Sequence, residues 1–133
     1  MVRTLLITDD SMIIRIIIKD VATNAGWEVV GEAANGQEAI NRYRELNPDA
    51  VTLDLVMPEY DGMHALRGIM EFDPQAKVLV VSALQQRSVL KDAFKAGAAD
   101  FVGKPFDNQS LQDTLEQLCP QGSPRDQESA AAN

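Results

Sequence analysis

Ile13-Ile14-Arg15-Ile16-Ile17-Ile18 decides how this chain folds. The run is β-branched, and by local propensity alone it would be an extended strand. A strand there would leave the apolar run at residues 4–8 (Thr-Leu-Leu-Ile-Thr) and the one at 28–33 (Glu-Val-Val-Gly-Glu-Ala) with no crossover between them, and parallel strands require one. A helix from about Ser11 to Ala25 supplies it, with Ile14, Ile17, Ile18 and Val21 turned toward a sheet. Met12, Ile13 and Ile16 are then left partly outside. They are either the edge of a wide apolar stripe or a patch for a partner.

Three further apolar runs follow, at residues 50–53 (Ala-Val-Thr-Leu), 77–81 (Lys-Val-Leu-Val-Val) and 100–102 (Asp-Phe-Val). Between the runs, apolar residues recur at helical spacing: Ala39, Ile40, Tyr43 and Leu46; Met63, Leu66, Ile69 and Met70; Val89, Leu90, Ala93 and Phe94; Leu111, Leu115 and Leu118. Turn signals separate them at Ala25-Gly26, Asn35-Gly36, Asn47-Pro48, Asp73-Pro74 and Ala96-Gly97. Five strands alternating with helices, the strands continuously apolar, predict an α/β fold: a parallel sheet covered on both faces.

The 133 residues are 45% hydrophobic and 24% charged, enough for about one domain with a core that needs no disulfide. Twenty acidic against twelve basic residues give a net charge of −8, which disfavours nucleic acid and anionic membrane as partners. Cys119 is the single cysteine, so no intrachain disulfide and no zinc spacing exist, and it reads as an inert thiol. No apolar run reaches the roughly 18 residues of a membrane span, so a cytoplasmic location is expected. Residues 1–119 are expected to form the domain. Residues 120–133, with no apolar periodicity, read as a flexible tail.

Asp9 and Asp10 follow the first strand and Asp54 follows the third. Open parallel sheets bind ligands at the carboxyl ends of their strands, where the strand order reverses; were the order 2-1-3-4-5, as in one common doubly wound fold, the three carboxylates would converge. Three like charges in one pocket call for a cation, and oxygen-only ligands suit Mg²⁺ better than zinc. Ser82 and Lys104 close the fourth and fifth strands with a hydroxyl and an ammonium. Carboxylate, metal, hydroxyl and ammonium around one point describe a phosphoryl group, with Asp54 as the nucleophile that takes it as an acyl phosphate.

These residues carry a resemblance. Ile7-Thr8-Asp9-Asp10-Ser11, Thr52-Leu53-Asp54-Leu55-Val56-Met57-Pro58 with Asp61-Gly62, Val80-Val81-Ser82-Ala83, Ala96-Gly97-Ala98-Ala99-Asp100-Phe101 and Lys104-Pro105-Phe106 resemble, in order and spacing, a two-component response-regulator receiver domain of the stand-alone CheY-like kind, over residues 3 to about 118. The resemblance implies a three-layer, doubly wound (βα)5 flavodoxin-like fold with strand order 2-1-3-4-5. It implies that Asp54 accepts phosphate from a histidine kinase or a histidine phosphotransfer protein. Asp9, Asp10, Asp54 and the backbone carbonyl of Val56 would hold Mg²⁺, Ser82 and Lys104 would bind phosphoryl oxygens, Phe101 would be the rotating switch aromatic, and Pro105 would follow a cis peptide. Output would pass through the fourth helix, fifth strand and fifth helix to a protein target, in chemotaxis or motility or as a phosphorelay intermediate. The chain would be no enzyme toward outside substrates and a monomer, dimerising, if at all, when phosphorylated.

Departures from the family pattern stand at Thr8, at Phe101 in place of tyrosine, and at Val56 and Leu84, apolar where the family often has polar side chains. The last two predict a long-lived phosphorylated form. Blander accounts stand beside each site residue: Asp9-Asp10 as a helix cap, Lys104 as an exposed loop lysine, Phe101 as core, and Pro58 and Gly62 as loop geometry. His64 reads as a surface residue. Arg87, Lys91 and Lys95, at i, i+4 and i+8, line one helix face, either solvated or meeting an acidic partner. An aspartyl-phosphate hydrolase would carry an acid/base aspartate two residues after the nucleophile, and Val56 stands there. A phosphate-independent interaction module remains the other rival.

Overall fold

The computed structural model describes residues 2–58 and 61–120. Its elements run β1 (Thr4–Thr8), α1 (Met12–Asn24), β2 (Glu28–Ala33), α2 (Gly36–Leu46), β3 (Ala50–Leu53), α3 (Gly62–Phe72), β4 (Val78–Ser82), α4 (Arg87–Lys95), β5 (Asp100–Gly103) and α5 (Asn108–Leu118). The strands form one parallel sheet in the order β2-β1-β3-β4-β5. The parallel sheet covered on both faces, expected from the strand and helix alternation, is found, in the doubly wound order that the resemblance implies. Beyond Pro120, the segment expected as a tail lies outside the described residues.

The isoleucine run is helical because its start is capped and one side is buried. The extended Ser11 accepts the Ile14 N–H at 3.3 Å, and Ala25 and Gly26, the latter at φ +91°, stop the helix. Burial of Ile18, Val21 and Ala22 outweighs the weak helix propensity of the β-branched residues. Ile17, expected to face the sheet, does not join the core. The stripe that packs is Ile14, Ile18, Val21, Ala22 and Ala25, which puts Ile17 about 80° from its centre at 100° per residue.

Two apolar layers sandwich the sheet. On one face α1 and α5 bring Ile18, Val21, Leu111 and Leu115 against Leu5, Ile7, Leu79 and Val81. On the other, α2, α3 and α4 bring Ile40, Tyr43, Leu66, Ile69 and Ala93 against Leu6, Val51, Leu53, Val78 and Val80. Phe94, expected on the packed side of α4, is 46% exposed, because Val89, Ala93 and Ala96 make the contact row. At the amino ends of the strands Arg3 is fully buried. It pairs with Glu116 at 2.7 Å, donates to the carbonyls of Cys119 and Ala25, and stacks 4.5 Å from the Trp27 ring. This one cation ties β1 to the last turns of α1 and α5.

Because the sheet is parallel, every strand ends at the same edge. β4 and β5 each run one residue beyond the expected end, so Ser82 and Gly103 are the last residues of their strands and pair with each other. β1 and β3 are neighbours, with Thr8 opposite Leu53, which brings Asp9 and Asp54 side by side.

Candidate functional site

The backbone fixes both buried carboxylates. Asp9 donates its N–H to the Ala33 carbonyl at 3.0 Å and accepts the Ser11 N–H on Oδ1 at 2.9 Å. Asp54 donates its N–H to the Thr8 carbonyl at 3.1 Å and accepts the Val56 N–H on Oδ1 at 3.1 Å. Gly62 lies so close behind Asp54 that a Cβ there would overlap the Asp54 carbonyl oxygen. The Lys104 ammonium bridges the pair, 2.6 Å from Asp9 Oδ2 and 2.9 Å from Asp54 Oδ2. Burial pushes the Asp9 carboxyl above the usual carboxylate range, partly countered by the Lys104 hydrogen bond. For Lys104, burial works against the charge, but the hydrogen bonds and attraction of Asp9 and Asp54 outweigh it and hold the ammonium above the usual lysine range.

Asp10 is exposed, and its carboxylate makes no hydrogen bond among the described residues. One oxygen each of Asp9, Asp10 and Asp54 lies within 4.8 Å of the others. An all-oxygen set with one uncommitted carboxylate fits a hard divalent cation such as Mg²⁺. Ser82 is fully buried and its Oγ accepts the Leu84 N–H at 3.2 Å. The Gln85 amide donates to the Lys104 carbonyl at 3.3 Å, linking the loop after β4 to the one after β5, where Lys104–Pro105 is cis. Phe101 is half-buried and packs on the core under α2, α3 and α4. Val56, two residues after Asp54, is 56% exposed, and on α1 Met12 (63%), Ile13 (66%) and Ile16 (50%) are exposed as well.

The family model for the response regulator receiver domain matches residues 5–116. The chain belongs to that family. The receiver is 46% identical over 116 residues to the chemotaxis protein CheY of Thermotoga maritima, covering 87% of this chain and 97% of that one. It is 49% identical over 112 residues to CheY of Listeria monocytogenes, covering 84% and 94%. The crystal structure of the CheX-CheY-BeF3-Mg²⁺ complex from Borrelia burgdorferi contains a chain that superposes with TM-score 0.85 at 35% identity, over 90% of each chain. The family is one of signalling domains.

The receiver thus brings Asp9, Asp10, Asp54 and Lys104 into one cluster, while Ser82, at the same sheet edge, has its hydroxyl turned to the backbone of its own loop. Lys104 is not an exposed loop lysine: its side chain is 16% exposed and holds two carboxylates. Gly62, expected as loop geometry, is instead the first residue of α3, and its lack of a Cβ is what lets the helix start lie against the Asp54 backbone. His64 is exposed, its Nε2 3.3 Å from Gln37 Oε1. Cys119 is buried at the end of α5, where its carbonyl takes an Arg3 N–H. Sequence reasoning passed over Arg15, whose guanidinium reaches both the Asp9 carbonyl and Glu32. The signal was a lone charge in an isoleucine run.

Proposed function

We propose that this receiver accepts a phosphoryl group on Asp54 from a histidine kinase or phosphotransfer protein and changes its affinity for a protein target, in chemotaxis signalling in the cytoplasm. The observation that carries this is the Lys104 ammonium bridging Asp54 and Asp9 at strand ends, with Asp10 uncommitted beside them. Asp9, Asp10, Asp54 and the Val56 carbonyl would hold Mg²⁺, which when bound offsets charge on the transferred group.

An Asp54 carboxylate oxygen attacks phosphorus, the P–N bond of the donor phosphohistidine breaks, and the imidazole keeps the electron pair and takes a proton. Lys104 then pairs with a phosphoryl oxygen. Ser82 exchanges its bond with the Leu84 N–H for another, which draws in the loop after β4, and Phe101 turns further inward. The output face is α4, β5 and α5. A groove of about 310 Å³ lined by Phe101, Pro105, Phe106 and Ser110 lies along β5 and α5, and the exposed Arg87, Lys91 and Lys95 on α4 favour an acidic target. Among the described residues no helix is long and apolar enough to cross a membrane. Turnover of outside substrates is disfavoured by Val56, which offers no acid or base.

A phosphorelay reading rests on the exposed apolar side chains of Met12, Ile13 and Ile16 on α1, which follows the Asp9–Asp10 pair, and of Val56 just after Asp54, as a docking face for a helical phosphotransfer partner. Incubation with a ³²P-labelled chemotaxis histidine kinase tests the proposal. Label is expected to move to the wild-type chain in Mg²⁺ and not to Asp54→Asn; transfer to both would place the acceptor elsewhere.

A further inference from the structure

Arg15 is the one charged residue between Asp10 and Lys19, in a stretch otherwise of serine, methionine and isoleucine. Its side chain is 17% exposed. Nη1 donates to the Asp9 carbonyl oxygen at 2.7 Å and Nε donates to Glu32 Oε1 at 2.9 Å. A solvated arginine on a helix face does not reach back six residues to a backbone carbonyl while pairing with the neighbouring strand. The planar fork of the guanidinium is suited to hold two acceptors at once.

What it holds matters. The other polar atoms of Asp9 are engaged by Ala33, Ser11 and Lys104, so Arg15 completes the set. The Asp9 carbonyl lies in the same rigid plane as the Asp10 N–H, so gripping that oxygen orients the peptide from which Asp10 departs. Asp10 has no hydrogen bond of its own among the described residues. Its direction is inherited from this peptide.

We propose that Arg15 is a positioning residue for the cation site: braced by Glu32 at the end of β2, it fixes the Asp9–Asp10 peptide so that the Asp10 carboxylate is presented toward Asp54 ready to take Mg²⁺. The inference rests on the Mg²⁺ reading above and adds a residue to it. Its distinguishing feature is a sign. By charge alone, a guanidinium near the site repels Mg²⁺, so its removal would tighten binding. As a positioning group, its removal loosens binding.

Calorimetric titration of the full chain with MgCl₂, without any phosphodonor, separates these. Arg15→Gln is expected to bind Mg²⁺ about 10-fold more weakly than wild type, as loss of an outer partner of a ligand typically does. Arg15→Lys, which keeps the charge but loses the fork, is expected to fall between them. Glu32→Gln keeps an acceptor for Nε and is expected to stay near wild type. Circular dichroism melts in EDTA report the folded fraction, and Arg15→Lys serves if Arg15→Gln unfolds. Unchanged or tighter binding in folded Arg15→Gln, or full affinity in Arg15→Lys, overturns the proposal while leaving the Mg²⁺ site standing. A wild-type chain that takes no Mg²⁺ overturns both.

Discussion

Replacing Lys104 with alanine removes the ammonium that bridges two buried carboxylates. The lysine side chain is 16% exposed, those of Asp9 and Asp54 are 1% and 7%, and the pairs are 2.6 and 2.9 Å long. Breaking a buried ion pair by deleting one partner costs about 3–5 kcal/mol. The lower end applies here, since the lysine side chain is 16% exposed and keeps some water. We expect a loss of about 3 kcal/mol in urea unfolding in EDTA at pH 7. Mg²⁺ supplies the missing charge without competition from the ammonium, so it should stabilise Lys104→Ala more than wild type; at a hundredfold excess over its dissociation constant a ligand adds about 2.7 kcal/mol. Adding Asp54→Asn to Lys104→Ala should restore stability, because one of the two unpaired charges is gone. A loss under about 1 kcal/mol in EDTA, the range of a solvated surface pair, would refute the reasoning. So would equal Mg²⁺ stabilisation of the two proteins.

Val56→Asn puts a polar side chain at an exposed position two residues after Asp54; loss of aspartyl phosphate followed by ³¹P NMR should be slow in wild type and faster in the variant, and a fast wild-type decay that slows on substitution contradicts this. Gly62→Ala forces a Cβ into the Asp54 carbonyl oxygen and should destabilise the fold by about 1–3 kcal/mol, read by denaturant midpoint, with weaker phosphorylation than its stability loss explains. The Asp107 carboxylate caps α5, and its hydrogen bonds from the Ser110 N–H and hydroxyl hold it below the usual value of 3.8. Its contribution is therefore present above that value and lost as pH falls through the lower folded one. Asp107→Asn should flatten this acid limb of a stability–pH curve, and an unchanged limb would contradict the assignment.

Much of the site is legible in sequence because chain topology does the assembly. A parallel sheet puts every strand end on one edge, so an acidic doublet after the first strand, an aspartate after the third and a lysine after the fifth meet without any knowledge of side-chain geometry. The helical nature of residues 13–18 follows from the crossover requirement and not from the isoleucines themselves. What escaped depends on how a helix is rotated about its own axis or on contacts between distant residues. Ile17 and Phe94 fall one row off the packed stripe, a distinction that apolar identity does not encode. The Arg15 bond to Glu32 spans 17 residues and a strand, and the turn of the Ser82 hydroxyl toward Leu84 is a choice among local acceptors. Neither leaves a periodic trace.

The measurement closest to the central claim is the intact mass of the chain after incubation with a small phosphodonor, with Mg²⁺ or EDTA, for wild type and Asp54→Asn. One phosphate adduct on wild type, dependent on Mg²⁺ and absent from the variant, is the predicted result. An adduct of equal size on Asp54→Asn, or none on wild type under any condition, would contradict it.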